Sequence, residues 1–448
     1  MSTLSKKIKR ESWNISWPII LASFSNNIIG LTDTAFLSRI SPYALGGGGL
    51  AVLFYYVITS LAMGWGTAIQ IILARFIGKG GLTSAYHNFN LYLIPTLFIS
   101  SFQFLLIYFS PLYLFYFFEN SAVYQEFCQY ITIRSFDVFP MSFYFILRGF
   151  FNAISNNKIV GYTAFLMIFV NFILNYIFAF GYNIIPSMGT RGIALASVIT
   201  QSLVFIIYFF YYTKILKLKF NFIFSKNYFS NIFHAFKLSL PISFQNFISI
   251  GSFFIFMKIV EYMGVHALAI SEITKNLYIF LMIPTWGFGS SASTIISRTI
   301  GEGNHRLVIP IIKIISFQNF LFSLILILIL LFYPSLYFFI LTDDTLIISD
   351  SILLARIVGI ALLIYSFAWI WVSAVIGTGA TYVAFLIEVF TLLIYLAYII
   401  LSYYYTQNIY LIWLCEIIYM LIMVIFSYVY IKSNHWRNIK IKGLHDKF

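Results

Sequence analysis

Long apolar runs constrain the fold of this chain more than any other feature of its sequence. Hydrophobic residues make up 61% of the chain and charged residues only 9%. The apolar residues form about twelve runs, each near the roughly 20 residues that a helix needs to cross a bilayer. Because lipid offers the backbone no hydrogen-bond partners, such runs must be helical. The sequence therefore predicts an all-α integral membrane protein with twelve transmembrane helices.

Short polar or glycine-bearing breaks separate the predicted spans. The spans are predicted at residues 13–38, 49–75, 88–110, 127–150, 159–181, 191–212, 236–262, 272–298, 308–332, 350–376, 383–404 and 408–431. The first run is too long for the apolar part of a signal peptide, and no small-residue cleavage site follows it. The first span is therefore expected to remain in the protein.

The net charge of +13 is concentrated in alternate loops. With twelve spans, the N-terminus, the break after span six and the C-terminal tail share one side of the membrane, which the positive-inside rule makes cytoplasmic. The basic residues there are Lys6, Lys7, Lys9, Arg10, Lys214, Lys217, Lys219, Lys226, Lys237, Lys432, Arg437, Lys440, Lys442 and Lys447. The loops with Glu119, Glu126, Asp343, Asp344 and Asp350 are expected outside. Membrane topology accounts for the basic charge, so no nucleic-acid partner is expected.

The sequence favours neither a cofactor nor a resident metal. The two cysteines, Cys128 and Cys415, suggest no disulfide framework, and the histidines lack metal-ligand spacing. The glycines at 46–49 lack the lysine and hydroxyl of a phosphate-binding loop. We interpret them as a flexible connection outside the membrane.

Two segments of the chain resemble each other at an offset of 223 residues. GWGTAIQIILARFIGKG at 64–80 aligns without a gap with GFGSSASTIISRTIGEG at 287–303, and seven of the seventeen positions are identical. At the same offset Pro18 aligns with Pro241. Each half then holds six spans, an even number, so the halves form a parallel repeat about an axis along the membrane normal, as in many secondary transporters. The sequence predicts two six-helix lobes that alternate access to a cleft.

The repeat also sets the expected domain boundaries. The N-terminal lobe is predicted at 1–212, a cytoplasmic linker at 213–235, the C-terminal lobe at 236–431 and a basic cytoplasmic tail at 432–448.

Asp33 lies inside the first apolar run, in NIIGLTDTAFL. Burying an ionised carboxylate in hydrocarbon is costly, so intramembrane acids tend to be functional. Asn171 and Asn175 in span five lie one turn apart on one helical face, and Ser197 lies near the start of span six. Together these side chains would make an oxygen-lined cation site, although Asp33 could instead carry a proton or serve only in helix packing.

Other intramembrane acids have weaker signals. Arg134 lies three residues before Asp137 on the same face of span four, which favours a structural ion pair. Glu388 and Glu416 lie in spans eleven and twelve without an evident partner.

Several motifs, taken together, resemble the multidrug and toxic compound extrusion (MATE) family over nearly the whole chain. They are GLTDTAF in span one, the two repeated glycine segments, RSFDVFP and LRGFFNA in span four, NFILNYIFAFG in span five and RGIALAS entering span six. The resemblance implies export of organic compounds driven by inward movement of H⁺ or Na⁺. It also implies that Asp33 is the coupling aspartate, with Asn171, Asn175 and Ser197 at polar positions beside it.

Two departures from the family pattern narrow this expectation. Some members have an aspartate where this chain has Asn175, so coupling by two carboxylates at that place is not expected. NorM-like members carry a glutamate in span seven, where this chain reads SFQNFISIGSFF and offers only Ser249. The chain is therefore expected to be closer to the DinF-like branch, and a cation site in the second lobe is not expected.

The expected function is secondary active efflux of amphipathic organic compounds, many of them cationic, by an antiporter. The alternative is a flippase for lipid-linked oligosaccharides, which should have more cationic residues in its cavity. An enzyme is not expected, because no catalytic cluster is present. We expect a monomer among membrane lipids, in a bacterial inner membrane, with both termini in the cytoplasm.

Overall fold

The fold is described from a computed structural model that covers residues 2–220, 228–332 and 345–441. Residues 221–227 of the predicted linker, the acidic residues Asp343 and Asp344, and residues 442–448 of the basic tail lie outside these ranges. The membrane helices are α1 (Ser2–Ile40), α2 (Pro42–Phe89), α3 (Leu93–Tyr108), α4 (Ser121–Arg134 and Val138–Ala153), α5 (Lys158–Phe180), α6 (Thr190–Phe210), α7 (Tyr228–Tyr262), α8 (Val265–Gly301), α9 (Val308–Phe332), α10 (Thr345–Gly377), α11 (Thr381–Thr406) and α12 (Ile409–Trp413 and Cys415–Ser433), and a short helix at Ser110–Leu114 follows α3.

The all-α class and the twelve membrane helices are confirmed. Ten continuous helical stretches in the described residues are long and apolar enough to cross a membrane. One of them, Pro42–Tyr108, contains both α2 and α3. These stretches account for eleven helices. The remaining helix, α4, is divided into two shorter pieces by a 3-10 turn at Ser135–Asp137.

The helices extend beyond several of the predicted apolar runs. α9 begins and ends at the predicted residues, whereas α1 begins at Ser2, before the basic residues. α2 continues past the predicted end of its span and kinks at Gly81, whose φ of 75° is the left-handed conformation that glycine adopts without strain. Hydropathy locates the part of a helix that lies in lipid, but hydrogen bonding continues into the polar flanks.

The prediction that glycines 46–49 form a flexible connection is wrong. These residues lie within the first turns of α2, which Ser41 caps by accepting a hydrogen bond from the Ala44 backbone N–H at 2.9 Å. A Cβ on Gly47 would lie 2.7 Å from the backbone nitrogen of Phe127 in α4. Glycine is used here because it allows two helices to approach closely, as small residues do in membrane bundles.

The described helices form two compact units. The N-terminal unit comprises Leu21–Ser243, and the C-terminal unit comprises residues 2–20 together with Phe244–Ile441. Two helices, α1 and α7, therefore contribute to both units. Each of these helices contains a proline close to the residue where it changes unit, Pro18 in α1 and Pro241 in α7.

The internal repeat is visible in the packing of each unit. In the N-terminal unit, a Cβ on Gly64 would lie 3.0 Å from the carbonyl oxygen of Ser239. In the C-terminal unit, a Cβ on Gly287 would lie 2.9 Å from the carbonyl oxygen of Ser16. Both residues of one contact are 223 positions from their counterparts in the other. The repeated glycines therefore serve the same purpose, close contact with the first helix of the other repeat.

Aromatic contacts repeat at the same offset. Trp65 and Phe236 in the N-terminal unit have ring centroids 4.8 Å apart. Phe288 and Trp13 occupy the matching positions in the C-terminal unit, with centroids 6.0 Å apart. Tryptophan and phenylalanine have exchanged places between the repeats, while the contact between helices has been kept.

The glycine run provides a test with an internal control. We expect Gly47→Ala to lower the stability of the protein by about 1–3 kcal/mol, the usual cost of overpacking. Gly49→Ala, two residues along the same helix, has no neighbour within 4 Å of the added Cβ and should be neutral or slightly stabilising. Thermal unfolding in detergent measures both. Equal midpoints for the two variants would contradict the packing assigned to Gly47.

Candidate functional site

Asp33 lies on α1 with its side chain buried in the N-terminal unit. Its threonine neighbours are not its partners, because Thr32 donates to the carbonyl oxygen of Ile28 at 2.8 Å and Thr34 donates to that of Gly30 at 2.9 Å. Both hydroxyls are used within the helix that carries them. The carboxylate therefore depends on other helices for its hydrogen bonds.

Those hydrogen bonds come from the three residues that the sequence singled out. Asn175 Nδ2 donates to Asp33 Oδ1 at 2.6 Å, and Ser197 Oγ donates to Asp33 Oδ2 at 3.0 Å. Asn175 Nδ2 also donates to Asn171 Oδ1 at 3.1 Å. Asn171 Nδ2 lies 3.5 Å from Ser197 Oγ and closes a ring of four side chains. We call this set the Asp33 ring.

The loop between α5 and α6 fixes the positions of the ring's amides and hydroxyl. Gly192 in the first turn of α6 packs against the α5 backbone, where a Cβ would lie 2.9 Å from the nitrogen of Ala179. The Gly189 N–H donates to the Ala179 carbonyl at 3.1 Å and the Met188 N–H donates to the Phe178 carbonyl at 2.8 Å. These contacts hold α6 against α5 and so keep Ser197 beside Asn171.

Aromatic packing brings α1 to the same place. The ring of Phe36, three residues after Asp33, lies edge-on to that of Phe172 with centroids 5.6 Å apart. Phe36 also contacts Phe180, at 5.8 Å. Aromatic contacts of this kind favour association of the helices beyond the area they bury.

The charge of Asp33 has no direct counter-ion in the part of the chain that the structure describes. Arg134 acts on it electrostatically, but the nearest acid to that guanidinium is Asp137, at 3.3 Å. One acceptor of the ring, Asn175 Oδ1, is buried and has no hydrogen-bond partner. A buried carboxylate beside an unused acceptor oxygen can take up a proton or a small cation, either of which would neutralise the charge.

Arg134 and Asp137 in α4 form a separate group with Tyr55 in α2. The Tyr55 hydroxyl donates to Asp137 Oδ2 at 2.7 Å, and the Arg134 guanidinium lies 4.6 Å from the centre of the Tyr55 ring. Asp137 is completely buried. Asp137 thus has a cation beside it as well as a hydroxyl donor, whereas Asp33 has a hydroxyl donor, Ser197, but no ion pair among the described residues.

Two acids whose partners the sequence did not reveal are buried in the C-terminal unit. Glu388 accepts hydrogen bonds from Tyr419 at 2.6 Å, from Gln245 at 3.3 Å and from Ser249. Glu416 accepts from Tyr278 at 2.8 Å and from Tyr395 at 2.9 Å. Most of these partners are more than a hundred residues away in sequence. A single serine, glutamine or tyrosine on an apolar helix does not indicate an ion site by itself. Within the described ranges, no three His, Cys, Asp or Glu side chains are grouped as metal ligands would be.

Duplicated helices that enclose buried acids are typical of membrane transporters. A family model described as MatE matches residues 18–177 and again residues 241–403. The two matches begin 223 residues apart, as the internal repeat predicts. The chain belongs to the MATE family, whose members are transporters and not enzymes.

Individual relatives are distant in sequence. A probable multidrug resistance protein NorM of Thermotoga maritima is 23% identical over 89% of this chain and 87% of its own length. A protein of the same description from Agrobacterium fabrum is 24% identical over 65% of this chain, and the aligned part spans 63% of that protein. Whether the chain is closer to the DinF-like branch, as its sequence predicts, stays a prediction.

Solved structures show the same fold. An aspartate-to-asparagine variant of the Vibrio cholerae MATE transporter VcmN has a TM-score of 0.86 at 18% identity, covering 97% of this chain and 99% of its own. A MATE protein in complex with MaL6 has a TM-score of 0.86 at 17% identity, covering 95% of this chain and 97% of its own.

The Asp137 group can be tested by removing one hydroxyl. Tyr55→Phe takes away a hydrogen bond to a buried carboxylate, so we expect a loss of stability of about 1–3 kcal/mol. Tyr56→Phe is the matched control, since the neighbouring side chain is 45% exposed and its hydroxyl makes no hydrogen bond within the described ranges. Thermal unfolding of the purified variants measures the difference. If Tyr56→Phe were as costly as Tyr55→Phe, Asp137 would not depend on this hydroxyl.

Proposed function

We propose that this protein is a secondary active multidrug efflux antiporter, which exports amphipathic organic compounds in exchange for H⁺ or Na⁺. Export of drugs is supported by the similar proteins, which are described as probable multidrug resistance proteins. The observation that carries ion coupling is the Asp33 ring, a buried carboxylate with two donors, an unused acceptor and no counter-ion of its own among the described residues. Its charge can be neutralised only by an ion from outside the ring.

Either coupling ion can be accommodated by the same atoms. A proton on Asp33 Oδ1 would be accepted by the amide oxygen of Asn175 if that amide turned over, because the two amide ends are interchangeable in shape. Na⁺ would instead be bound by the Asp33 carboxylate, the two amide oxygens and the Ser197 hydroxyl, which are hard oxygen ligands. Both events replace a costly buried charge by a neutral pair.

Coupling requires that ion and substrate prefer opposite conformations. A ligand shifts a conformational equilibrium only by the difference between its affinities for the two states. The ion enters from outside and neutralises Asp33, α1 repacks, and the exported compound is released outward. After the change to the inward-facing state, the ion leaves to the cytoplasm and a new substrate binds.

The proposal also includes the orientation of the protein in the membrane and its assembly state. The basic residues of the described loops favour cytoplasmic termini by the positive-inside rule. We propose a monomer in a bacterial inner membrane, with the lobes, linker and tail divided as the sequence predicts. The oligosaccharide flippase is not favoured, because the relatives found are described as multidrug resistance proteins.

Asp33→Asn should abolish ion-driven transport while leaving the protein folded. The asparagine keeps the size of the side chain and can still take part in hydrogen bonds with the ring, but it carries no charge to neutralise. The measurement is efflux of ethidium from proteoliposomes under an imposed pH gradient and, separately, an imposed Na⁺ gradient. Transport by the wild type under one gradient identifies the coupling ion.

Glu302→Gln is the control for this experiment, because Glu302 is an exposed acid outside the ring. It should transport as the wild type does. Undiminished ion uptake by Asp33→Asn would refute a coupling role for Asp33, and no transport by the wild type under either gradient would refute the antiporter.

Ser197→Ala distinguishes the two ions by the sign of its effect. The Ser197 hydroxyl stabilises the ionised carboxylate, so its loss should make proton binding tighter and move half-maximal transport to higher pH. For Na⁺ the hydroxyl is a ligand, and its loss should weaken apparent affinity roughly tenfold, equivalent to about 1.4 kcal/mol. Ser202→Ala, on the same helix but outside the ring, should change neither. A Ser197→Ala protein identical to the wild type in both assays would remove Ser197 from the site.

A further inference from the structure

The C-terminal unit contains a second buried carboxylate whose charge is not paired. Glu388 on α11 is 1% exposed and accepts three hydrogen bonds, from Gln245, Ser249 and Tyr419. Among the residues that the structure describes, none of the lysines, arginines and histidines forms an ion pair with it. Like Asp33, it has donors but no counter-ion.

The helices that build this site are the repeat equivalents of those that build the Asp33 ring. The ring uses α1, α5 and α6, which are the first, fifth and sixth helices of the first repeat. The Glu388 site uses α7, α11 and α12, which are the same three helices of the second repeat.

The residue types have changed places between these helices. In the first repeat the acid is on the first helix and the amides are on the fifth. In the second repeat the acid is on the fifth helix, as Glu388, and the amide is on the first, as Gln245. The positions are not equivalent either, since the counterpart of Asn171 at the offset of 223 is Ile394, six residues or about 9 Å further along α11. The second site therefore uses the same three helices of its repeat, but its residues are not the repeat equivalents of those in the Asp33 ring.

The amide of Gln245 supplies the evidence for a ligand. Its Nε2 donates to Glu388 Oε2 at 3.3 Å, while its Oε1 is buried with no hydrogen-bond partner. This arrangement suits the ionised carboxylate, which can only accept. If Glu388 carries a proton on Oε2, rotation of the amide by half a turn turns Oε1 into the acceptor for that proton. The same side chain thus satisfies both protonation states of the acid.

The surrounding titratable groups do not supply a positive charge. Tyr419 on α12 donates to Glu388, Tyr365 on α10 acts on it electrostatically, and Glu416 on α12 acts on the same two tyrosines. Glu416 is bound by the hydroxyls of Tyr278 on α8 and Tyr395 on α11. All of these groups are neutral or negative. A lone ionised Glu388 is therefore costly, and taking up a proton relieves the cost.

The two glutamates differ in access. Ser249 and Tyr419 beside Glu388 are only partly buried, so two of the side chains that contact this carboxyl group reach the surface of the C-terminal unit. Both tyrosine partners of Glu416 are buried, and both of its oxygens already have a hydroxyl donor. Among the residues that the structure describes, no amide with an unused acceptor is hydrogen-bonded to Glu416.

We propose that Glu388 is a second proton-carrying carboxylate of this transporter, with Gln245 positioning the proton. The inference rests on the proposed antiport and adds a site in the C-terminal unit that exchanges a proton independently of Asp33. Glu416 stays in one protonation state and has a structural role.

The test detects the protonated carboxyl group directly. Infrared difference spectra of the purified full-length protein, taken between alkaline and acidic pH, report the carbonyl stretch of each acid that gains a proton. We expect Glu388→Gln to lose one pH-dependent carboxyl band and Asp33→Asn to lose a different one. The double variant should lose both, and Glu416→Gln should keep both. An unchanged spectrum in Glu388→Gln would overturn the proposal.

A second variant keeps the test decisive if Glu388→Gln does not fold. Gln245→Leu retains the carboxyl group but removes its acceptor, so the pH-dependent carboxyl band that persists in Asp33→Asn should shift in frequency and in its pH midpoint, while the band lost in Asp33→Asn stays in place. A band indifferent to Gln245→Leu would also overturn the proposal.

Ethidium transport in the same variants separates this proposal from the antiport itself. Under the proposal, Glu388→Gln exchanges about half as many protons per ethidium as the wild type. If Asp33→Asn transported normally while the Glu388 band disappeared on substitution, the Asp33 mechanism would fail and the second site would stand.

Discussion

Hydrocarbon offers neither hydrogen bonds nor counter-ions, so a buried acid must find its partners within the protein. Asp33, Asp137, Glu388 and Glu416 meet this requirement in different ways. Asp137 has an arginine, Glu416 has two tyrosine hydroxyls, and the remaining two have donors together with an amide oxygen that is left unused. An acid held by a cation or by hydroxyl donors alone favours structure, whereas an acid beside an amide that can satisfy both protonation states favours exchange.

Such partners can meet only if the helices approach closely, and here glycine decides the geometry. Gly47, Gly64, Gly192 and Gly287 each face a neighbouring backbone so near that a Cβ would not fit without displacement. The hydrophobic effect does not hold helices together inside lipid, so packing of small residues and interhelical hydrogen bonds must do so. The same close contacts that stabilise the bundle therefore position the polar side chains to which we assign ion coupling.

The sequence predicts the helices better than it predicts their contacts. Twelve helices follow from hydropathy because a bilayer fixes their length, and the Asp33 ring was accessible because Asn171 and Asn175 share a helical face. The glycines at 46–49 are helical because Gly47 packs closely against α4, and this contact leaves no pattern in the local sequence. Glu388 could not be connected with Ser249 or Tyr419, because their approach depends on tertiary packing over long sequence separations and leaves no local pattern.

The buried acid lies on the first helix of the first repeat and on the fifth helix of the second, and the packing of the helices explains how both positions can serve. In each half of the chain the first, fifth and sixth helices meet. A carboxylate on any of the three can therefore accept hydrogen bonds from donors on the other two. Asp33 has Phe256 as its counterpart at the offset of 223, and that phenylalanine packs against Trp413 with ring centroids 5.0 Å apart. The position of the first acid has become apolar in the second repeat, while Glu388 has gained donors nearer the start of its helix. A search for coupling acids in proteins of this architecture should therefore compare helices that meet, and not only residues that align.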